Sequence, residues 1–459
     1  MKHIILILFI VVLSMATRET DLVTETLPGC SQGNFKQYSG YFNIDEVKKF
    51  HYIFVESARD PATDPVVFWF EGGPGCSSMN GYIAEHGPCA FIDDADFMPQ
   101  DNPYSWNKFA NVVYIESPVG TGYNNHPELL PYNDEIVSHD NMKATLEFFR
   151  MYPEFKSNEF YLSGVSYGGI YVPYLALRID EYNQEAEEKI NLKGFLIGNG
   201  VTNWKFDGFT AYMEVAFTNG IITNEFHEKL QNSGCDFAEF GRENPGREQE
   251  CDGLYQEFYE KVKIANLYDV YRPVDEYYEY PDEGKTLKLL LSDEKPTCPY
   301  NLLSGFNNGK CFKSSNEIIP QKRYLNRADV KSILHIPASY TWELCSPVDY
   351  SWGIKASEWI YPKFKGKYRM MHYSGTTDGR IPTIGTQRWM EHLGWPITKE
   401  RQPWFLEPHL LGGFTQSREG GLDLITVHGV GHMVAQWGKS QMFMIASSWI
   451  FGKDLPRQE

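Results

Sequence analysis

In the N-terminal part of the chain, short apolar runs alternate with amphipathic stretches. Phe50 to Val55 and Pro65 to Phe70 are too short for helices and read as strands. The second is almost wholly apolar, the pattern of a strand covered on both faces. Val112 to Ile115 and Phe160 to Leu162 predict two more strands, and Leu196-Ile197 ends another. Between them, Met142, Leu146 and Phe149 fall on one face of a predicted helix from His139 to Arg150. A further helix-like run extends from Gly169 to Asp180, interrupted by Pro173. Strands alternating with helices predict a mostly parallel α/β sheet with helices on both faces.

The pattern changes near residue 205. From about 206 to 322 the chain is rich in charge, Tyr and Asn, and holds four of its eight cysteines. Asn244-Pro245-Gly246 and Pro281-Asp282-Glu283-Gly284 are loop signals. This stretch reads as a cap inserted into one domain spanning 17–459, whose core is 27–205 and 323–455. The α/β pattern then resumes. Asn326 is placed to cap a helix through Ile333, with Asp329 helping its first turn. Arg369 to Tyr373 reads as a strand, and Met442, Ile445, Ala446 and Trp449 as a closing helix stopped by Gly452.

Composition narrows the function classes. With 42% hydrophobic and 22% charged residues the chain is globular in character. Its formal charge of −18, with no basic stripe, argues against nucleic acid as a partner. Lys2-His3, the apolar run Ile4 to Leu13 and Ser14-Met15-Ala16 predict a signal peptide over residues 1–16. No later segment reaches the roughly 18 apolar residues of a membrane span, so no membrane anchor is expected. Eight cysteines in an oxidising compartment permit disulfides, and none has the paired CxxC spacing of a zinc site. No N-x-S/T sequon occurs.

The sharpest chemical signal is Gly164-Val165-Ser166-Tyr167-Gly168, between a strand and a helix. That is the context of a nucleophile elbow, where a tight turn lifts a serine out of the backbone. Serine needs a base, and the base an orienting acid. Asp378 lies just after a strand, and His432 lies in the Gly-rich loop Val427-His428-Gly429-Val430-Gly431-His432, giving the order Ser, Asp, His. His428 and His432 are four apart, but with two glycines between them and no Glu they do not read as metal ligands. A Gly-rich loop, Glu71 to Ser78, follows the buried strand and lets backbone N–H groups approach an oxyanion. Without G-K-[ST] or a basic residue it is a poor phosphate cradle.

Together these residues resemble the serine carboxypeptidases, an α/β-hydrolase family of vacuolar, lysosomal and secreted enzymes. The likeness runs from Leu27-Pro28-Gly29 to the C-terminal helix. It includes Gly72-Gly73-Pro74-Gly75-Cys76-Ser77-Ser78, Asn102-Pro103-Tyr104-Ser105-Trp106-Asn107, Ser117-Pro118-Val119-Gly120-Thr121-Gly122 and Gly431-His432-Met433-Val434. The resemblance implies Ser166 as nucleophile, His432 as base, Asp378 as its acid and an oxyanion hole from Gly73 and Tyr167. It implies that Cys76 bonds Cys345, with Cys235–Cys251 and Cys298–Cys311 as local pairs and Cys30 and Cys89 unassigned. It also implies peptide or protein substrates, no metal and no cofactor, and a secreted, lysosomal or vacuolar location.

The chain departs from that family pattern where the substrate's terminal carboxylate is held. The family motifs W-x-N-G-G-P-G and G-E-S-Y-A-G carry an Asn and a Glu for this purpose. Here Glu71 replaces the Asn and Val165 the Glu, while Glu85 matches the carboxyl that pairs with the missing Glu. Glu71, Glu85 and Gly72 are the expected lining of this pocket. The reading is a serine carboxypeptidase with altered carboxylate recognition. The alternatives are an esterase or acyltransferase on the same scaffold, and a binding or chaperone-like relative without turnover.

Overall fold

The computed structural model describes residues 18–92, 98–124, 131–239, 243–272 and 318–458. The predicted signal peptide and the Cys298–Cys311 pair lie outside the described residues.

Ten strands form one sheet: β1 (Gln37–Asn43), β2 (Lys49–Val55), β3 (Val66–Phe70), β4 (Asn111–Ile115), β5 (Phe160–Val165), β6 (Leu192–Gly198), β7 (Arg369–Gly375), β8 (Ile397–Glu407), β9 (Leu410–Arg418) and β10 (Leu422–Val427). Their spatial order is β1-β2-β4-β3-β5-β6-β7-β10-β9-β8. The centre, from β4 to β10, is parallel, and antiparallel strands close both sides.

Pleating explains why β3 is apolar throughout. Val66, Phe68 and Phe70 face one layer, where helices α1 (Asp134–Met151) and α2 (Gly168–Glu185) pack. Val67 and Trp69 face the other, where the C-terminal helix packs through Met442, Ile445, Ala446 and Trp449. A strand covered on both faces has no polar side to alternate with. Among the described residues no helix is long and apolar enough to cross a membrane.

Within the predicted insertion, helices α3 (Phe209–Thr218), α4 (Asn224–Asn232) and α5 (Glu248–Val262) share a small cluster of their own, including Phe209, Tyr212, Phe226, Leu230 and Phe258. Disulfides join Cys30 to Cys89, Cys76 to Cys345 and Cys235 to Cys251.

Three expectations need correcting. Helix α1 begins at Asp134 rather than His139, because the Asn133 side chain accepts from the Ile136 N–H and Asp134 and Glu135 suit its N-terminus. Leu146 is exposed; the buried arc instead includes polar Asn141 and Thr145, whose hydroxyl donates to the Asn141 carbonyl. Asn326 caps no helix. It lies between α6 (Ile318–Leu325) and α7 (Ala328–Ile333), donating to the carbonyls of Lys322 and Trp342 and accepting from the Trp342 N–H at 2.8 Å. The hairpin β8–β9 was invisible in the sequence because most of β8 is exposed and its register is irregular.

Candidate active site

The candidate residues gather at the carboxyl ends of four neighbouring parallel strands, β5, β6, β7 and β10. Loops there are free of the sheet's hydrogen bonding, the general location of sites in α/β folds. Ser166 follows β5 with φ of 59°, a left-handed conformation that is costly for a residue with a Cβ. Its N–H donates to the Gly198 carbonyl at 3.0 Å, and its own carbonyl accepts from Gly169 and Val201 at 2.9 and 3.0 Å. The turn is thereby tied to the end of β6.

Asp378, after β7, and His432, after β10, are both 1% exposed. His432 Nδ1 lies 2.8 Å from Asp378 Oδ2. The same oxygen accepts from Asn199 Nδ2 at 2.6 Å and from the Ile381 N–H at 3.2 Å, while Oδ1 accepts from the Arg380 N–H at 2.7 Å. A carboxylate only accepts, so Nδ1 carries a proton, and in the neutral ring the lone pair is on Nε2. Nε2 is buried and has no hydrogen-bond partner among the described residues. The His428 ring packs edge-on against Phe414 instead.

The loop after β3 closes over the serine. A Cβ on Gly72 would lie 2.6 Å from Ser166 Cβ and 2.8 Å from the Tyr167 nitrogen, so only glycine permits this approach. Among the described residues, neither the Gly73 nor the Tyr167 N–H has an intramolecular acceptor. The loop is held from its far side by Cys76–Cys345, by Ser77 N–H on the Leu344 carbonyl at 2.7 Å and by Ser346 N–H on the Gly75 carbonyl at 2.9 Å.

Beside this loop lie two buried carboxyls. Glu71 Oε2 accepts from Trp69 Nε1 at 3.1 Å, and Glu85 Oε1 accepts from Asn80 Nδ2 at 2.9 Å. The Asn80 amide interacts with both. Burial pushes Glu71 up to about 7. Burial, then repulsion from Glu71, pushes Glu85 well above the usual carboxylate range. Val165, where the family carries a third carboxyl, is a buried apolar side chain.

Sequence reasoning missed Asn199 and Asn80. The signal for Asn199 was a polar residue between glycines, Gly198-Asn199-Gly200, at the end of an apolar strand. Asn80 gave none.

The serine carboxypeptidase family matches residues 28–452. Serine carboxypeptidase-like 35 of Arabidopsis thaliana is 33% identical over 460 residues, covering 96% of this chain and 93% of that protein. The lysosomal protective protein of Mus musculus is 30% identical over 465 residues, covering 93% and 94%. Among solved structures, a prohormone-processing carboxypeptidase from Saccharomyces cerevisiae has the same fold, with a TM-score of 0.73 at 19% identity over 95% of this chain and 96% of that one.

Proposed function

The chain belongs to the serine carboxypeptidase family, with its α/β-hydrolase fold, and from that premise we propose that it releases C-terminal residues from peptides through an acyl-enzyme at Ser166. The observation that carries the reading is the His432–Asp378 bond of 2.8 Å, with Nε2 left open at the strand ends where Ser166 stands. Ser166 Oγ attacks the scissile carbonyl carbon while His432 Nε2 takes its proton. The carbonyl oxygen, now negative, is met by the N–H groups of Gly73 and Tyr167. Collapse breaks the C–N bond, and His432 returns the proton to the leaving amine. Water then repeats the sequence on the acyl-enzyme and restores Ser166.

The substrate's terminal carboxylate would face Glu71 and Glu85. Three negative charges cannot share such a pocket, so the pair must hold at least one proton when substrate binds. A protonated Glu71 donates one hydrogen bond, as an Asn amide would. The same departure favours the esterase or acyltransferase reading, because neither substrate need carry a free carboxylate. We further read residues 206–322 as a cap on the core, and the predicted leader and the disulfides as marks of the secretory pathway, with lysosome, vacuole or secretion as destination. Fluorophosphonate labelling of Ser166, followed by turnover of a free-carboxyl peptide against its C-terminal amide, tests the proposal. Labelling with preference for the free acid supports it; preference for the amide or an ester favours the second reading.

A further inference from the structure

The predicted insertion reaches into the catalytic loops. Gly379 N–H donates to the Leu267 carbonyl and Val270 N–H to the Thr377 carbonyl, each at 2.9 Å, and His432 N–H donates to the Tyr268 carbonyl at 2.7 Å. The approach is so close that a Cβ on Gly431 would lie 2.2 Å from that carbonyl oxygen. The Tyr268 ring stands edge-on to the His432 imidazole, 5.2 Å between centroids.

A second tie comes from the segment after Cys235. Arg380 Nη1 donates to Glu239 Oε2 at 2.9 Å and Nη2 to Oε1 at 2.8 Å, a two-pronged pair with side chains only 27% and 18% exposed. Arg380 also donates its backbone N–H to Asp378 Oδ1. One residue thus holds the acid through its main chain and the insertion through its side chain.

We propose that Arg380 and Glu239 are a positioning pair that fixes the loop carrying Asp378 and balances the charge beside His432, so that the insertion completes the catalytic base. The proposal rests on the triad reading above. The Arg380 guanidinium interacts electrostatically with Asp378 and Tyr268, the two groups that touch the imidazole; paired with Glu239 its charge largely cancels there, and either charge alone does not. Among the described residues, the other charged or titratable groups in contact with His432 or its loop are Asp378, Tyr268 and the Asp269–Arg272 pair, whose atoms lie 3.3 Å apart. The test leaves these unchanged.

The test is the pH dependence of inactivation by a fluorophosphonate in wild type, Glu239→Gln, Arg380→Gln and the double variant. The acid limb reports protonation of the base. Glu239→Gln leaves Arg380 unbalanced, disfavours the imidazolium and moves the limb to lower pH. Arg380→Gln leaves Glu239 unbalanced and moves it to higher pH. Each shift is roughly a few tenths of a pH unit, and the double variant returns towards wild type. A pair that only stiffens the fold would slow inactivation in both single variants with the limb unmoved or moved the same way, and that result overturns the proposal. A histidine NMR titration of the same proteins reads the shifts without chemistry. An unlabelled wild type would therefore count against Ser166 as nucleophile, while the NMR shifts still decide the role of the pair.

Discussion

Asn199 and Asp378 are joined by a hydrogen bond of 2.6 Å between the ends of two neighbouring strands. The Asn199 side-chain oxygen meanwhile accepts from the Gly375 N–H at 3.0 Å, so its amide spans β6 and the start of the acid loop. Asn199 has φ of 38°, which glycine also adopts freely. Asn199→Gly therefore removes the amide without forcing the backbone. A hydrogen bond to a charged group contributes about 1.5–3 kcal/mol, so kcat/KM should fall roughly 10- to 150-fold. Steady-state kinetics on the folded variant check this; an unchanged kcat/KM would remove Asn199 from the orienting shell.

Ser166→Ala should abolish turnover and fluorophosphonate labelling. The left-handed turn is no worse for Ala than for Ser, so melting temperature should stay close to wild type. Retained turnover in the purified variant would refute the nucleophile assignment.

Cys76–Cys345 closes a loop of 269 residues. In the chain-entropy account a loop of this length stabilises the fold by roughly 5 kcal/mol. Cys345→Ser should lower both melting temperature and kcat, since the same bond anchors the loop bearing Gly73. Loss of stability with kcat intact would separate the two roles.

The parts legible in the sequence share a physical cause. Buried central strands such as β3 are short apolar runs, and the serine and histidine lie in glycine-rich loops, because strained turns and close approaches leave few alternatives. What was hidden depends on contacts distant in sequence. The β8 strand pairs through its backbone while most of its side chains face solvent and only Trp404 is buried, so no periodicity betrays it. Asn80 and Asn199 act through neighbours supplied by other segments. Arg380 and Glu239 are 141 residues apart, and nothing in the chain between them marks the pair.

Stability should depend on pH through the buried carboxyls. Glu71 is raised from an ordinary 4.5 to about 7, and Asp207 from 3.8 to about 7, both chiefly by burial. In that window the folded state holds protons that the unfolded state has released, so these groups make stability fall as pH rises from about 4 through about 7, above which both states are ionised and the fall ends. Buried His372, lowered from 6.5 to about 3, acts oppositely: the unfolded state binds its proton below about 6.5, so stability rises with pH up to there. The contribution of Glu71 is isolated by difference. The melting temperature of Glu71→Gln minus that of wild type should increase between pH 4.5 and 8, as measured by calorimetry. A difference independent of pH would mean that Glu71 titrates normally.

The most direct measurement is kcat/KM against pH for a free-carboxyl peptide and its C-terminal amide, in wild type and Glu71→Asn. If the Glu71–Glu85 pair reads the terminal carboxylate, the wild-type preference for the free acid is largest at acidic pH. It should fade as the pair ionises, roughly 10- to 150-fold if one charged hydrogen bond is lost. Glu71→Asn supplies a donor at every pH and should carry that preference towards neutral pH, leaving the amide profile little changed. Superimposable free-acid profiles in the two proteins would contradict the account.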